Sequence, residues 1–135
     1  MLLIGIKLEG GLAMRILIVD DDASKYAGIV EECKNRKIEY EIIDFKEMKI
    51  EKFYRVDALV LGMGKPIYLD GEPLWSDGEK ILRCMESRGY RIETLIFSEI
   101  SPLSNYVFVH SRIEDWNTQK DKFLKFLKDI KEPVY

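Results

Sequence analysis

Three consecutive carboxylates, Asp20-Asp21-Asp22, followed by Ala23-Ser24, are the residues of this chain best suited to chemistry. Three acids in a row repel one another, so their placement needs a reason. A divalent cation is one, since Mg²⁺ is held by one or two carboxylates together with water and phosphate oxygens. On that reading Asp20 and Asp21 form an acidic pocket for a metal or a phosphoryl group. A helix N-terminus is another, since Asp22 or Ser24 can accept from free N–H groups and the helix dipole favours negative charge there. Capping accounts well for one acid and poorly for three.

The acids follow a run of four aliphatics, Ile16-Leu17-Ile18-Val19, which reads as a strand buried on both faces. As the first parallel strand of an α/β sheet, it would present the carboxylates at its C-terminal edge, where open α/β sheets bind ligands. The remaining pattern alternates. Ala23–Lys37 reads as an amphipathic helix whose inner face carries Tyr26, Ile29, Val30 and Cys33 at helical spacing, and Ile38–Phe45 as a strand. Lys46–Arg55 reads as a short, weak helix and Val56–Leu61 as a strand. Gly62-Met63-Gly64-Lys65-Pro66 breaks the pattern, and Ile67–Trp75 is an unusually apolar loop. Ser76 with Glu79 fits a capping box opening a helix that Gly89 closes. Ile92–Ser98 and Asn105–Val109 read as the last two strands, and too few residues separate them for a full crossover helix. Thr118–Lys131 is the final helix. This order implies a three-layer α/β/α sandwich around a parallel five-stranded sheet of flavodoxin-like order 2-1-3-4-5, with the fourth helix reduced or missing.

The bulk numbers bound the partners. Apolar residues make up 47% of the 135, enough to fill the core of one domain. Charged residues are 33% and the net charge is −3. No basic face of the kind nucleic acid requires is expected, and no run approaches a membrane span. The lysines of the last helix read as a solvated face interleaved with Asp121 and Asp129. Cys33 and Cys84 lack metal-ligand spacing and read as reduced thiols of a cytoplasmic protein. Abundant Glu, Lys and Ile with a single glutamine, Gln119, hint at a thermophilic source. Residues 1–13 read as an upstream extension or an extra edge strand, and 14–135 as the domain. Glu9-Gly10-Gly11 lies where a ribosome-binding sequence would precede a start at Met14, so Met14 rather than Met1 is the expected native start.

These motifs resemble the CheY-like receiver domain of two-component response regulators, from Met14 to about Lys131. Val19-Asp20-Asp21 is similar to the acidic pair that helps hold Mg²⁺ in that family. The phosphoacceptor aspartate there stands four residues before a proline, and Pro66 fixes the position as Gly62. Asp77-Gly78 resembles the opening of the third helix, and Ser98 falls where the family has its switch hydroxyl. The lysine expected at the end of strand five is replaced by Val109 or His110. Without a side chain at residue 62, no acyl phosphate forms there. Asp57 stands at the start of its strand and belongs at the opposite end of the sheet, and only a folding back of the loop would bring Asp70 near.

The resemblance therefore implies a degenerate receiver, a stand-alone regulatory module that uses protein contacts instead of aspartyl phosphorylation. It requires no cofactor, although Mg²⁺ at Asp20 and Asp21 is conceivable. Its partner is another protein or a second copy. Tyr68, Leu74 and Trp75 in the apolar loop are the residue types that dominate interfaces; they equally suit a cover over core left open by the missing helix. Two alternatives stand beside this. Asp20-Asp21-Asp22-Ala23-Ser24 is also similar to the D-x-D-x-S motif of haloacid-dehalogenase-type phosphatases, with Asp20 as nucleophile and Asp22 as acid/base. The other is a structural subunit whose acids only cap a helix. Gly62-Met63-Gly64-Lys65 could form an anion nest but lacks the phosphate-loop spacing. His110, the only histidine, reads as structural or solvent-facing.

Overall fold

Alternating aliphatics on the central strands send side chains to both faces of one sheet, and helices or irregular segments cover each face. The computed structural model describes residues 14–65, 67–69, 72–74 and 76–131. The expectations for residues 1–13, for Asp70 and for Trp75 lie outside that set. Strand β1 (Arg15–Val19) leads through a 3-10 turn, Ala23–Tyr26, into helix α1 (Ala27–Asn35). Then follow β2 (Glu39–Ile43), two 3-10 turns (Phe45–Glu47 and Ile50–Phe53) and β3 (Ala58–Leu61). A short antiparallel hairpin, β4 (Ile67–Leu69) and β5 (Glu72–Leu74), precedes α2 (Asp77–Arg88). Strands β6 (Glu93–Phe97) and β7 (Val109–Ile113) and helix α3 (Trp116–Lys131) complete the fold.

The main sheet is parallel with order β2-β1-β3-β6-β7, the flavodoxin-like arrangement expected. Ile16, Ile18 and Val60 face α1 and α3, packing on Tyr26, Ile29, Phe123 and Phe126. Leu17, Val19, Leu59 and Leu61 face α2, packing on Leu82, Met85, Tyr106 and Phe108. The residues between β6 and β7 contain no helix, as the short spacing required.

Four boundaries differ from the sequence reading. Lys46–Arg55 is not a helix. Asp44 caps a single turn through a capping box with Glu47, and the chain restarts a second turn at Ile50. The apolar loop contains the β4–β5 hairpin. The last strand is Val109–Ile113, not Asn105–Val109. Asn105–Phe108 has strong strand propensity, but Tyr106 and Phe108 are spent filling core against α2 while Val107 is 79% exposed. The true strand, V-H-S-R-I, is polar because it lies on the sheet edge. Finally, the helix placed over Ala23–Lys37 has only its latter part in α conformation.

Candidate functional site

The C-terminal edge of β1 ends in a buried carboxylate, Asp20, followed by the exposed Asp21 and Asp22. Asp20 is 4% exposed. Its Oδ2 accepts from the Tyr26 hydroxyl at 2.6 Å and from Lys25 Nζ at 2.7 Å, and its Oδ1 accepts from the Asp22 N–H at 3.1 Å. The 3-10 turn makes this set possible by placing Lys25 and Tyr26 one after the other over the strand end. Tyr26 itself is fully buried, edge-on to Phe97. The Lys25 ammonium also donates to the Phe97 carbonyl at 2.9 Å, so it bridges the ends of β1 and β6. Burial alone would push the Asp20 carboxyl up; the hydrogen bonds from Lys25 and Tyr26 outweigh it and hold the group below the usual carboxylate range. The same burial, with the Asp20 charge, drives the Tyr26 hydroxyl far above the usual phenol range. Exposed Asp21 is pushed up, chiefly through its hydrogen bond with Asp20.

Gly62 is glycine because Asp20 fills its side-chain space. A Cβ there would lie 2.0 Å from Asp20 Oδ2 and 2.4 Å from Cγ. Its backbone is not in the left-handed region, so room, not conformation, dictates the residue. The Gly62 N–H continues the sheet by donating to the Val19 carbonyl at 2.9 Å. That removes it from any anion nest. Gly78 at the start of α2 packs on the same backbone: its N–H donates to the Met63 carbonyl, and a Cβ there would meet the Gly62 carbonyl at 2.4 Å.

The other expected residues divide. Asp22 caps the 3-10 turn, accepting from the Ser24 N–H and hydroxyl. Ser98 stands directly after β6, near the pocket, and its hydroxyl accepts from the Ile100 N–H. Ser98 and Lys25 share a cleft of about 440 Å³ with Glu99, Ile100, Asp115 and Trp116. Asp57 is at the opposite edge, accepting from the Arg15 N–H. Val109 and His110 lie at the start of β7, so neither stands at the strand-five lysine position. Ile113 closes the strand and Glu114 follows it, and the neighbouring Arg112 guanidinium donates to the Ser98 and Glu99 carbonyls. His110 is passed over where the β6–β7 register shifts, and it pairs with Glu93. For Tyr68 and Leu74 only the backbone is described, in the hairpin.

Mg²⁺, which the resemblance implies, does not suit this donor set. The Asp20 oxygens are committed to three protein donors, Gly62 supplies no side-chain oxygen, and Asp22 is spent on a cap. Among the described residues no group of three or more His, Cys, Asp or Glu side chains could hold a metal ion. Sequence reasoning missed Lys25 and Tyr26; Tyr26 read only as a core position. It also missed Glu79, which is 1% exposed. Ser76 caps α2 through the Glu79 N–H, but the Glu79 carboxylate does not return to close the capping box. It accepts instead from the Leu103 N–H at 2.7 Å and from the Tyr106 hydroxyl, tying the β6–β7 connection to α2.

Strand order, edge pocket and helix placement define the class: the fold is that of CheY-like receiver domains. A response regulator receiver protein from Pseudomonas putida superposes with a TM-score of 0.60 at 16% identity, covering 89% of this chain and 98% of its own. Chemotaxis protein CheY4 of Vibrio cholerae gives 0.60 at 18% identity, covering 87% and 98%. A chain of the complex between histidine kinase ThkA and response regulator protein TrrA gives 0.55 at 18% identity, covering 84% and 98%. No protein-family model matches the chain, and no curated protein does. No helix among the described residues is long and apolar enough to cross a membrane.

Proposed function

We propose that this chain is a cytoplasmic, response-regulator-like signalling module that acts through protein contacts and takes no phosphoryl group on aspartate. The observation that carries this reading is the space at residue 62. The Asp20 carboxylate stands where an acceptor side chain would begin, and Asp20 is itself too buried and too fully hydrogen-bonded to serve as a nucleophile. The receiver fold, shared with a chain from a kinase–regulator complex, supports a protein partner or a second copy. The segment carrying Tyr68, Leu74 and Trp75 is the proposed contact surface.

Two experiments test this. After incubation with a small phosphodonor and Mg²⁺, intact-mass spectrometry is expected to show no adduct. A stoichiometric, Mg²⁺-dependent aspartyl adduct would refute the proposal. The paired substitution Leu74→Ala, Trp75→Ala should abolish association, with itself or a captured partner, and leave the melting temperature nearly unchanged. Lost stability with intact association would assign those side chains to the core. Nothing in the geometry favours the phosphatase alternative: Asp20 and Asp22, its nucleophile and acid/base, both carry structural contacts.

A further inference from the structure

We infer that the Lys25 ammonium is a built-in counterion standing in for a divalent cation, and that Lys25 is the residue that makes this edge blind to metal ions. The inference rests on the reading of a receiver-type edge without an acceptor and adds how that edge is held together. A metal at such an edge gathers oxygens from separate strand ends. The Lys25 ammonium does the same with hydrogen bonds, holding Asp20 Oδ2 after β1 and the Phe97 carbonyl at the end of β6. It lies near the Tyr26 and Phe97 rings, 5.4 and 5.1 Å from their centroids. Its side chain is 31% exposed, open to the cleft that Ser98 lines, so the position is reachable from solvent. The tether is covalent, so no chelator removes this cation and no change in Mg²⁺ concentration alters its occupancy.

Deleting the charge would leave Asp20 buried, next to Asp21, with the Phe97 carbonyl freed. Asp20 would keep its hydrogen bonds from the Tyr26 hydroxyl and the Asp22 N–H, but a buried carboxylate that has lost its counterion takes up either a cation or a proton. Lys25→Met keeps the stem over the two rings and removes the ammonium; Lys25→Gln provides a second, more soluble variant. Mn²⁺ binding, followed by loss of the free-ion paramagnetic signal, and melting temperature against Mg²⁺ at constant ionic strength are the readouts.

The wild type is expected to show no saturable Mn²⁺ binding and no Mg²⁺ response. Both variants should gain saturable binding, and at tenfold saturation Mg²⁺ should raise their melting temperature by about 5 °C. Adding Asp20→Asn to either variant should abolish the gain. Equal binding by wild type and variants would overturn the inference, as would variants that stay metal-blind because Asp20 has taken a proton. If neither variant folds, the wild type decides: saturable Mn²⁺ binding overturns the inference and blindness upholds it. A wild type that binds Mn²⁺ yet takes no phosphoryl group would refute the role of Lys25 while leaving the proposed function standing.

Discussion

Gly62→Ala tests the claim that Asp20 occupies the acceptor's space. The added Cβ would sit 2.0 Å from Asp20 Oδ2, so the carboxylate must leave its position. Leaving breaks the Tyr26 hydrogen bond and the Lys25 ion pair. Hydrogen bonds to charged groups contribute about 1.5–3 kcal/mol each. Because Lys25 is partly exposed, water can re-solvate it, which puts its share at the low end. Replacing glycine returns about 0.4–1 kcal/mol by restricting the unfolded chain. The net expectation is about 3 kcal/mol of lost stability. At roughly 2.1 cal/mol/K of unfolding entropy per residue over ~120 folded residues, that lowers the melting temperature by about 12 °C. Calorimetry and urea denaturation measure it. The control is a double-mutant cycle: in an Asp20→Ala background, Gly62→Ala should cost less than about 1 kcal/mol. A Gly62→Ala protein as stable as wild type, or a cost that is additive with Asp20→Ala, would refute the reasoning.

Acid titration gives a second test. The folded state holds Asp20 ionised below its ordinary value of 3.8, so its stabilisation is complete above that pH and disappears as pH falls through the lower folded value. Asp20→Asn should lack this limb in melts across the acid range. Asp21 has the opposite sign. Its raised folded value makes its charge unfavourable at neutral pH, so Asp21→Asn should stabilise there and lose the advantage in acid, where the wild-type group is protonated in both states. Glu79→Ala removes two acceptors from the β6–β7 connection; about 3 kcal/mol should be lost, and amide exchange should accelerate at Leu103 and its neighbours. Gly28→Ala would place a Cβ 2.0 Å from Trp116 Nε1. The ring must leave α1, so in a Trp75→Phe background the emission should shift to the red.

Periodicity carried most of the fold, because buried parallel strands such as Ile16–Val19 and Ala58–Leu61 must be apolar on both faces and therefore announce themselves. The last strand did not. On an edge its residues are mostly half-buried, and the more apolar Asn105–Phe108 beside it fills core as a turn. The acids were legible as a cluster, and the spacing to Pro66 singled out Gly62, the residue whose side-chain space Asp20 fills. What the acids do was not legible. Whether Asp20 faces solvent or Lys25 depends on the short 3-10 turn before α1, and a helical pattern starting at Ala23 conceals that distinction. Tyr26 illustrates the limit: spacing places it inside, but only the structure shows that its hydroxyl is the polar end that matters.

The connection between β6 and β7 shows what replacing a helix by a strap entails. A helix carries its own ladder of backbone bonds and tolerates the loss of any one side chain. This strap is fastened to α2 through the single carboxylate of Glu79, with the Arg83 guanidinium reaching Ser104 alongside. The saving in chain length is a loss of redundancy: the polar ties of the segment to α2 pass through two side chains one turn apart, Glu79 and Arg83, and its fate under mutation is decided there.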